Sequence, residues 1–124
     1  MQLFILLSAL LLQGTPQQAV QQRSILLFGN KAEPLIKQQL QLLQQDSSGM
    51  AERDIKIVMV EPGESLYKTH AISTMHRFTV LLVGRDGHEK YRSNELTTTT
   101  HFFAMIDAMP MRRAEIRKNK NNHR

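Results

Sequence analysis

Asn30 and Lys31 are the first residues in the sequence whose types and position could bind a ligand. They lie just before Pro34, which suits the first turn of a helix because its missing N–H costs nothing there. A helix N-terminus offers free N–H groups and the positive end of a dipole, and both favour an anion. No glycine-rich phosphate loop accompanies the pair. A plain surface turn is therefore the favoured interpretation of Asn30 and Lys31, and an anion or partner contact is the alternative.

Residues 112–124, which we call the basic tail, are the second candidate contact. The formal net charge of the chain is +5, and the basic tail supplies a surplus of that size, so residues 1–111 are charge-balanced. The tail has no aromatic residue to stack bases and no groove-reading motif, which argues against specific nucleic-acid binding. A simple solubilising tail is the favoured interpretation, and an electrostatic contact with an anionic envelope surface or a protein partner is the alternative. The basic residues of the tail are Arg112, Arg113, Arg117, Lys118, Lys120 and Arg124.

The chemistry of catalysis and of metals is poorly represented in the chain. It contains no cysteine, which excludes disulfides, thiol redox reactions, cysteine nucleophiles and thiolate zinc sites. His70, His76, His88 and His101 show no pair at the spacing that metal ligands need on one helix or strand. No Ser or Thr lies in a nucleophile-elbow motif. We therefore expect no catalytic residue, no cofactor and no metal, with non-thiol chemistry near Lys31 as the enzymatic alternative.

Asp107 lies in an apolar stretch, close in sequence to Arg112 and Arg113. The spacing favours an ion pair or cap at a helix end over a ligand site. An exposed pair of this kind contributes no more than about 1 kcal/mol. It would orient the turn at Pro110 more than stabilise the fold.

The N-terminal residues have the layout of a secretory signal. Residues 3–12 form an almost uninterrupted apolar stretch. The length of this stretch is about half of the roughly 20 residues that a membrane-spanning helix needs. Turn-prone residues and the small Ala19 follow, as in a signal peptide before its cleavage site. Residues 1–19 are therefore predicted to be a signal peptide, and the mature protein to be periplasmic or extracellular without a transmembrane span. A buried N-terminal helix or strand of the domain is the alternative.

The elements that must position these side chains begin with a predicted βαβ unit. Residues 24–28 form a short apolar stretch that ends at Gly29 and predicts a buried strand. A helix begins at Pro34 with an apolar stripe, and residues 46–49 have the turn and cap chemistry that ends it. Residues 55–60 are β-branched and apolar, which predicts a second strand. A crossover of this kind places the two strands parallel in one sheet.

The second half of the chain predicts two antiparallel strands and a helix. A short helix is expected within residues 64–75, and residues 78–83 form the clearest strand. Asp86 and Gly87 are typical of a tight hairpin, with residues 89–92 returning. Thr97 or Thr98 caps a helix that Pro110 interrupts. The order βαβ followed by ββα predicts an α/β fold with a mixed sheet, the minimal core of the thioredoxin-like fold.

Two sequence blocks resemble the DUDES domain. They are FTVLLVGRDGHEKYRS, which begins at Phe78, and FFAMIDAMPMRR, which begins at Phe102. The run of residues 106–113 is the most specific part, and the resemblance covers residues 23–117. The family is a domain of unknown function in small exported bacterial proteins and in vertebrate extracellular matrix proteins, and is regarded as thioredoxin-like and related to peroxiredoxins.

The resemblance implies a thioredoxin-like three-layer α/β/α fold, an exported location and a non-enzymatic role, and it supplies no catalytic residues. Residues 29–34 (GNKAEP) stand where a redox thioredoxin has its Cys-x-x-Cys, so the redox site is absent. Arg77 and Phe78 stand where thioredoxins have a cis-proline before the third strand.

The sequence thus predicts a signal peptide at residues 1–19, a thioredoxin-like domain at residues 23–111 and the basic tail. The predicted function is that of an exported, non-catalytic binding or structural module. A cytosolic anion-binding or nucleic-acid accessory protein that uses the tail is a further alternative.

Overall fold

The computed structural model of the protein describes residues 20–123, so the expected signal peptide lies outside the described residues. Within this range no helix combines the length and the apolar character needed to cross a bilayer. The elements in chain order are β1 (Arg23–Phe28), α1 (Pro34–Gln45), α2 (Ser47–Glu52), β2 (Ile55–Val60), α3 (Leu66–Thr69), β3 (Thr79–Val83), β4 (Glu89–Ser93), α4 (Thr99–Asp107) and α5 (Pro110–Asn122).

The four strands form one mixed sheet in the order β2-β1-β3-β4. β1 pairs in parallel with β2, from Arg23 opposite Ile55 to Phe28 opposite Val60. β3 runs antiparallel to both β1 and β4. The predicted βαβ and ββα units are therefore confirmed, and β1 joins them at the centre of the sheet.

Helices cover both faces of the sheet, so the fold is a three-layer α/β/α arrangement. Alternate residues of a strand point to opposite faces. Ile25 and Leu27 of β1 pack with apolar side chains of α1, α2 and α4 on one face. Leu26 and Phe28 pack with Tyr67 of α3 on the other.

Polar contacts fix the connection into α4. The side-chain amide of Gln39, fully buried in α1, donates to the carbonyl of Thr97 and accepts from its N–H, both at 2.9 Å. Thr98 then caps α4, since its hydroxyl oxygen accepts from the N–H of His101 at 3.2 Å. The predicted capping threonine is confirmed as Thr98.

Two helices differ from the sequence expectations. The segment expected to end α1 forms the short helix α2, because Met50 inserts into the core at 5% exposure. A Cβ added at Gly49 would lie 2.5 Å from the Phe103 ring, so any larger residue there would force that ring to move. Pro110 ends one helix as expected, but it also occupies the first turn of α5, which continues to Asn122.

Candidate functional site

The candidate contacts named from the sequence lie at opposite ends of β1. Asn30 and Lys31 follow its carboxyl end, beside the start of α1. Arg23, at its amino end, contacts Glu115 of α5 at 3.1 Å. Six strand residues separate the two ends by roughly 16 Å. The two candidates therefore do not form one site.

A small surface hollow, which we call the Gly29 hollow, occupies the first end, where the β1–α1 loop meets the segment before β3. Its volume is about 160 Å³, below the roughly 300 Å³ at which small-molecule pockets begin. A Cβ added at Gly29 would lie 2.6 Å from the carbonyl oxygen of Arg77, so glycine is required for this approach. The hollow is lined by Gly29, Asn30, Glu33, Pro62, Tyr67, Thr74, His76 and Arg77.

Three of the polar side chains that line the Gly29 hollow, those of Asn30, Glu33 and Arg77, have partners within the fold. Asn30 Oδ1 accepts from the N–H of Ala32 at 2.9 Å, which fixes the loop as a local turn. The Glu33 carboxylate lies 4.0 Å from the Arg77 guanidinium. Burial, reinforced by Glu64 and Glu61, raises the pKa of Tyr67, which keeps its phenol protonated. Lys31 is exposed and does not line the hollow.

The second end of β1 holds eight charged side chains in ion pairs, which we call the arginine cluster. Arg53 donates to both carboxylate oxygens of Asp107, at 3.0 and 2.9 Å. Arg85 pairs with Asp54 at 3.0 Å and with Glu115 at 2.7 Å. Four cations therefore meet four anions. The members are Arg23, Arg53, Arg85, Arg112, Glu52, Asp54, Asp107 and Glu115.

Arg112, expected as an exposed contact of the basic tail, is instead only 2% exposed. Its guanidinium pairs with Asp107 at 3.1 Å, with Glu52 at 3.2 Å and with Glu115 at 3.4 Å. The ion pair predicted for Asp107 is present, but it is part of a network in which buried arginine side chains meet partly exposed carboxylates. A buried guanidinium requires charged partners, and these carboxylates supply them. The first residue of the basic tail therefore lies inside the folded body.

Arginine contacts set the ionisation of two carboxyl groups in the cluster. The hydrogen bond from Arg53, with a further one from Arg112, lowers the pKa of Asp107 below its usual value, although burial opposes this. Burial alone would raise the pKa of Glu115, but hydrogen bonds from Arg23 and Arg85 outweigh it and lower that pKa. Both groups therefore stay ionised at neutral pH.

The remaining cations of α5 project away from the cluster. Arg113, Arg117 and Lys120 follow each other at i, i+4 and i+7, which places them within an arc of roughly 60° on the helix surface. We call these three residues the basic stripe. All three are exposed, and none forms an ion pair with another described residue. Lys118 lies on another face of α5, beside Met111 and Val20.

A cavity of about 320 Å³ borders the arginine cluster. Met109, Pro110 and Met111 form an apolar wall, and Arg23 and Arg85 line the cavity from the cluster. The charged groups on its rim pair with each other, since Lys90 Nζ lies 2.7 Å from Asp86. Over the described range, residues 20–123, no three His, Asp or Glu side chains converge in a way that could hold a metal ion.

Residues 16–115 match the family model of a domain of unknown function, DUF4174. The chain belongs to this family. The match spans all four strands and reaches Glu115, so the DUF4174 domain includes the arginine cluster and the first turn and a half of α5. It confirms a domain of unknown function, while the narrower resemblance to the DUDES domain stays a prediction. No curated protein matches the chain.

Solved structures similar to this DUF4174 domain have the thioredoxin fold. Thioredoxin-2 of the malaria parasite, described as a component of its protein secretion machinery, has a TM-score of 0.58 at 15% identity, over 77% of this chain and 99% of its own. Trxlp from Edwardsiella tarda has a TM-score of 0.54 at 20% identity, over 82% and 94%. StoA from Bacillus subtilis has a TM-score of 0.53 at 17% identity, over 70% and 83%. These identities show the fold alone, and the predicted thioredoxin-like fold is confirmed.

Proposed function

We propose that this DUF4174 domain is an exported, non-catalytic binding module that contacts an anionic membrane surface through the basic stripe of α5. The resemblance to the DUDES domain, with its small exported bacterial members, supports export and a non-enzymatic role. So does the signal-like layout of residues 1–19.

The observation that carries the proposal is the division of charge along α5. Arg112 and Glu115 point inward and fix the helix to the body through the arginine cluster. Arg113, Arg117 and Lys120 stay exposed. Like charges at i, i+4 destabilise a helix by a few tenths of a kcal/mol, so the stripe is unfavourable until an anionic partner compensates it.

An enzymatic function near Lys31 has less support. Lys31 is exposed, and the adjacent hollow is small, with Glu33 and Arg77 of its lining already paired with each other. Thr74 and His76 both line that hollow, but no hydrogen bond joins them among the described residues. Lys31 does not line the hollow, so it does not join these groups in a catalytic constellation.

Sedimentation with lipid vesicles tests the proposal. The full chain is mixed with vesicles of phosphatidylcholine, with and without phosphatidylglycerol, and the bound fraction is measured. A basic residue near an anionic membrane contributes about 1 kcal/mol, so the triple variant Arg113→Gln, Arg117→Gln, Lys120→Gln should bind anionic vesicles about a hundredfold more weakly.

A matched variant separates the stripe from net charge. Lys31→Gln, Lys37→Gln and Lys68→Gln remove three exposed cations elsewhere and should leave most of the binding. An equal loss in both variants would show that only net charge matters. Tighter binding to duplex DNA than to anionic vesicles would contradict the proposal in favour of a nucleic-acid accessory protein.

A further inference from the structure

The two outer edges of the sheet differ in character. The strand order leaves β2 and β4 without a further partner among the described strands. β4 carries Glu89, Lys90 and Arg92, and its pairing with β3 has a register irregularity. Charges and irregularities of this kind protect an edge from pairing with another chain. β2 has the sequence IKIVMV, with one charge in six residues and no proline.

The register of β2 shows which of its backbone groups face outward. The N–H of Gly29 donates to the carbonyl of Val60 at 3.0 Å, so Val60 directs its backbone groups toward β1. In a strand this direction alternates from residue to residue. Ile55, Ile57 and Met59 therefore direct their N–H and C=O groups to the open edge.

We propose that a second copy of this chain pairs with β2 in antiparallel fashion, with Ile57 opposite Ile57 of the second copy. A two-fold axis perpendicular to a continuous sheet keeps each side chain on its own face. Odd-numbered residues of β2 must therefore lie opposite odd-numbered residues of the second copy, and even-numbered opposite even-numbered. Centring the axis on Ile57 places Ile55 opposite Met59 in both halves. All three outward residues then exchange both backbone hydrogen bonds, which gives six across the interface. Centring it on Val58 would give only four.

The side chains of β2 fit an identical strand. On the α1 side of the sheet the facing pairs are Ile57 with Ile57 and Ile55 with Met59, and all of these are apolar. On the α3 side Lys56 lies opposite Val58, so like charges do not face each other directly. The half-exposed Met59, at 41% exposure, becomes covered. This pairing is independent of the basic stripe, which lies on α5.

Single cysteines in this cysteine-free chain test the register. Directly opposite residues of a hydrogen-bonded pair have Cα atoms about 5.5 Å apart, which lies within the range of a disulfide. The variant Ile57→Cys should therefore form a disulfide dimer under mild oxidation. Met59 of one copy would lie four residues along the strand from Met59 of the other, roughly 14 Å away. Met59→Cys is the more exposed control and should give about tenfold less dimer, because that separation exceeds disulfide reach.

The mass of the unmodified full chain gives a second readout. Sedimentation velocity should show a dimer, and Ile57→Pro should shift it to monomer. The outward N–H of Ile57 is not used by β1, so proline removes a bond of the interface and leaves the β1–β2 ladder intact. A monomeric full chain would overturn the proposal. That result would follow if an extended peptide of another protein, or residues 1–19, occupied the edge. Equal cross-linking of the two cysteine variants also overturns it.

Discussion

Glu115 is the carboxylate on which most of the arginine cluster depends. It accepts hydrogen bonds from Arg23 at 3.1 and 3.3 Å, from Arg85 at 2.7 Å and from Arg112 at 3.4 Å. The Arg23 side chain is 1% exposed, so it has little access to water if this partner is lost. A buried cation without its carboxylate is costly, whereas an exposed ion pair is worth little.

We expect Glu115→Gln to lower the free energy of unfolding by on the order of 2 kcal/mol, between the values for exposed and fully buried pairs. Urea denaturation measures this. The control is Glu95→Gln, because Glu95 is exposed and its carboxylate forms no ion pair with the described residues. Equal stability of the two variants would mean that Glu115 does not hold the cluster together.

The pH dependence of stability should report the same groups. The pKa values of Asp107 and Glu115 are lowered in the folded state, by hydrogen bonds from Arg53 to Asp107 and, against burial, from Arg23 and Arg85 to Glu115. The unfolded state therefore binds protons first as the pH falls. The contribution of these two carboxylates to the free energy of unfolding is fully present above their usual pKa values of 3.8 and 4.5. It is lost as the pH falls through the lower pKa values of the folded state.

Denaturation between pH 7 and pH 3 should show a falling free energy of unfolding, with a shallower slope in the double variant Asp107→Asn, Glu115→Gln. An unchanged slope in that variant would assign the acid sensitivity to other carboxylates.

At the level of helices and strands, local patterns predicted the four strands, α1 and α4. Apolar runs and the Asp86 and Gly87 turn are signals within a few residues of the elements that they specify. The sequence does not predict α2, because Ser47, Ser48 and Gly49 are also typical of a helix end. Only their packing under Phe103 decides between the end of α1 and a separate helix. α5 was missed because its anchors are ion pairs.

Those anchors join residues far apart in the chain, which explains why the site was only half predicted. Arg112 contacts Glu52 across 60 positions, and Arg23 contacts Glu115 across 92. Charge counting found the surplus in the tail, but it could not separate the buried Arg112 from the exposed Arg113. Helical spacing did contain a usable signal, since Arg113, Arg117 and Lys120 recur on one face.

Truncations should locate the boundary between body and projecting helix. Every described residue from Ile116 onward is exposed. Deleting residues 118–124 should therefore change the free energy of unfolding by no more than about 0.5 kcal/mol, as for other surface changes. Deleting residues 110–124 removes Arg112 and Glu115 and should destabilise the domain by several kcal/mol. Thermal and urea melts of the two deletions measure this, and a harmless long deletion would contradict the role of α5 in the body.

For the whole molecule, export is the first expectation to check. A signal peptide at residues 1–19 would leave a mature chain that begins near Val20, which is 67% exposed and three residues before β1. The intact mass of protein recovered from the periplasm or the medium should correspond to that start. Uncleaved protein beginning at Met1 and recovered from the cytosol would contradict export.

The proposed binding surface is the outer face of α5, and the Gly29 hollow is not part of it. The exposed second half of α5 packs little against the body, so a bound anionic surface should order it. Hydrogen exchange read by mass spectrometry, with and without vesicles containing phosphatidylglycerol, distinguishes the two surfaces in one measurement. We expect slower exchange in residues 113–122 and unchanged exchange in residues 29–34 and 74–77. Protection confined to the Gly29 hollow, or no protection in α5, would contradict the account.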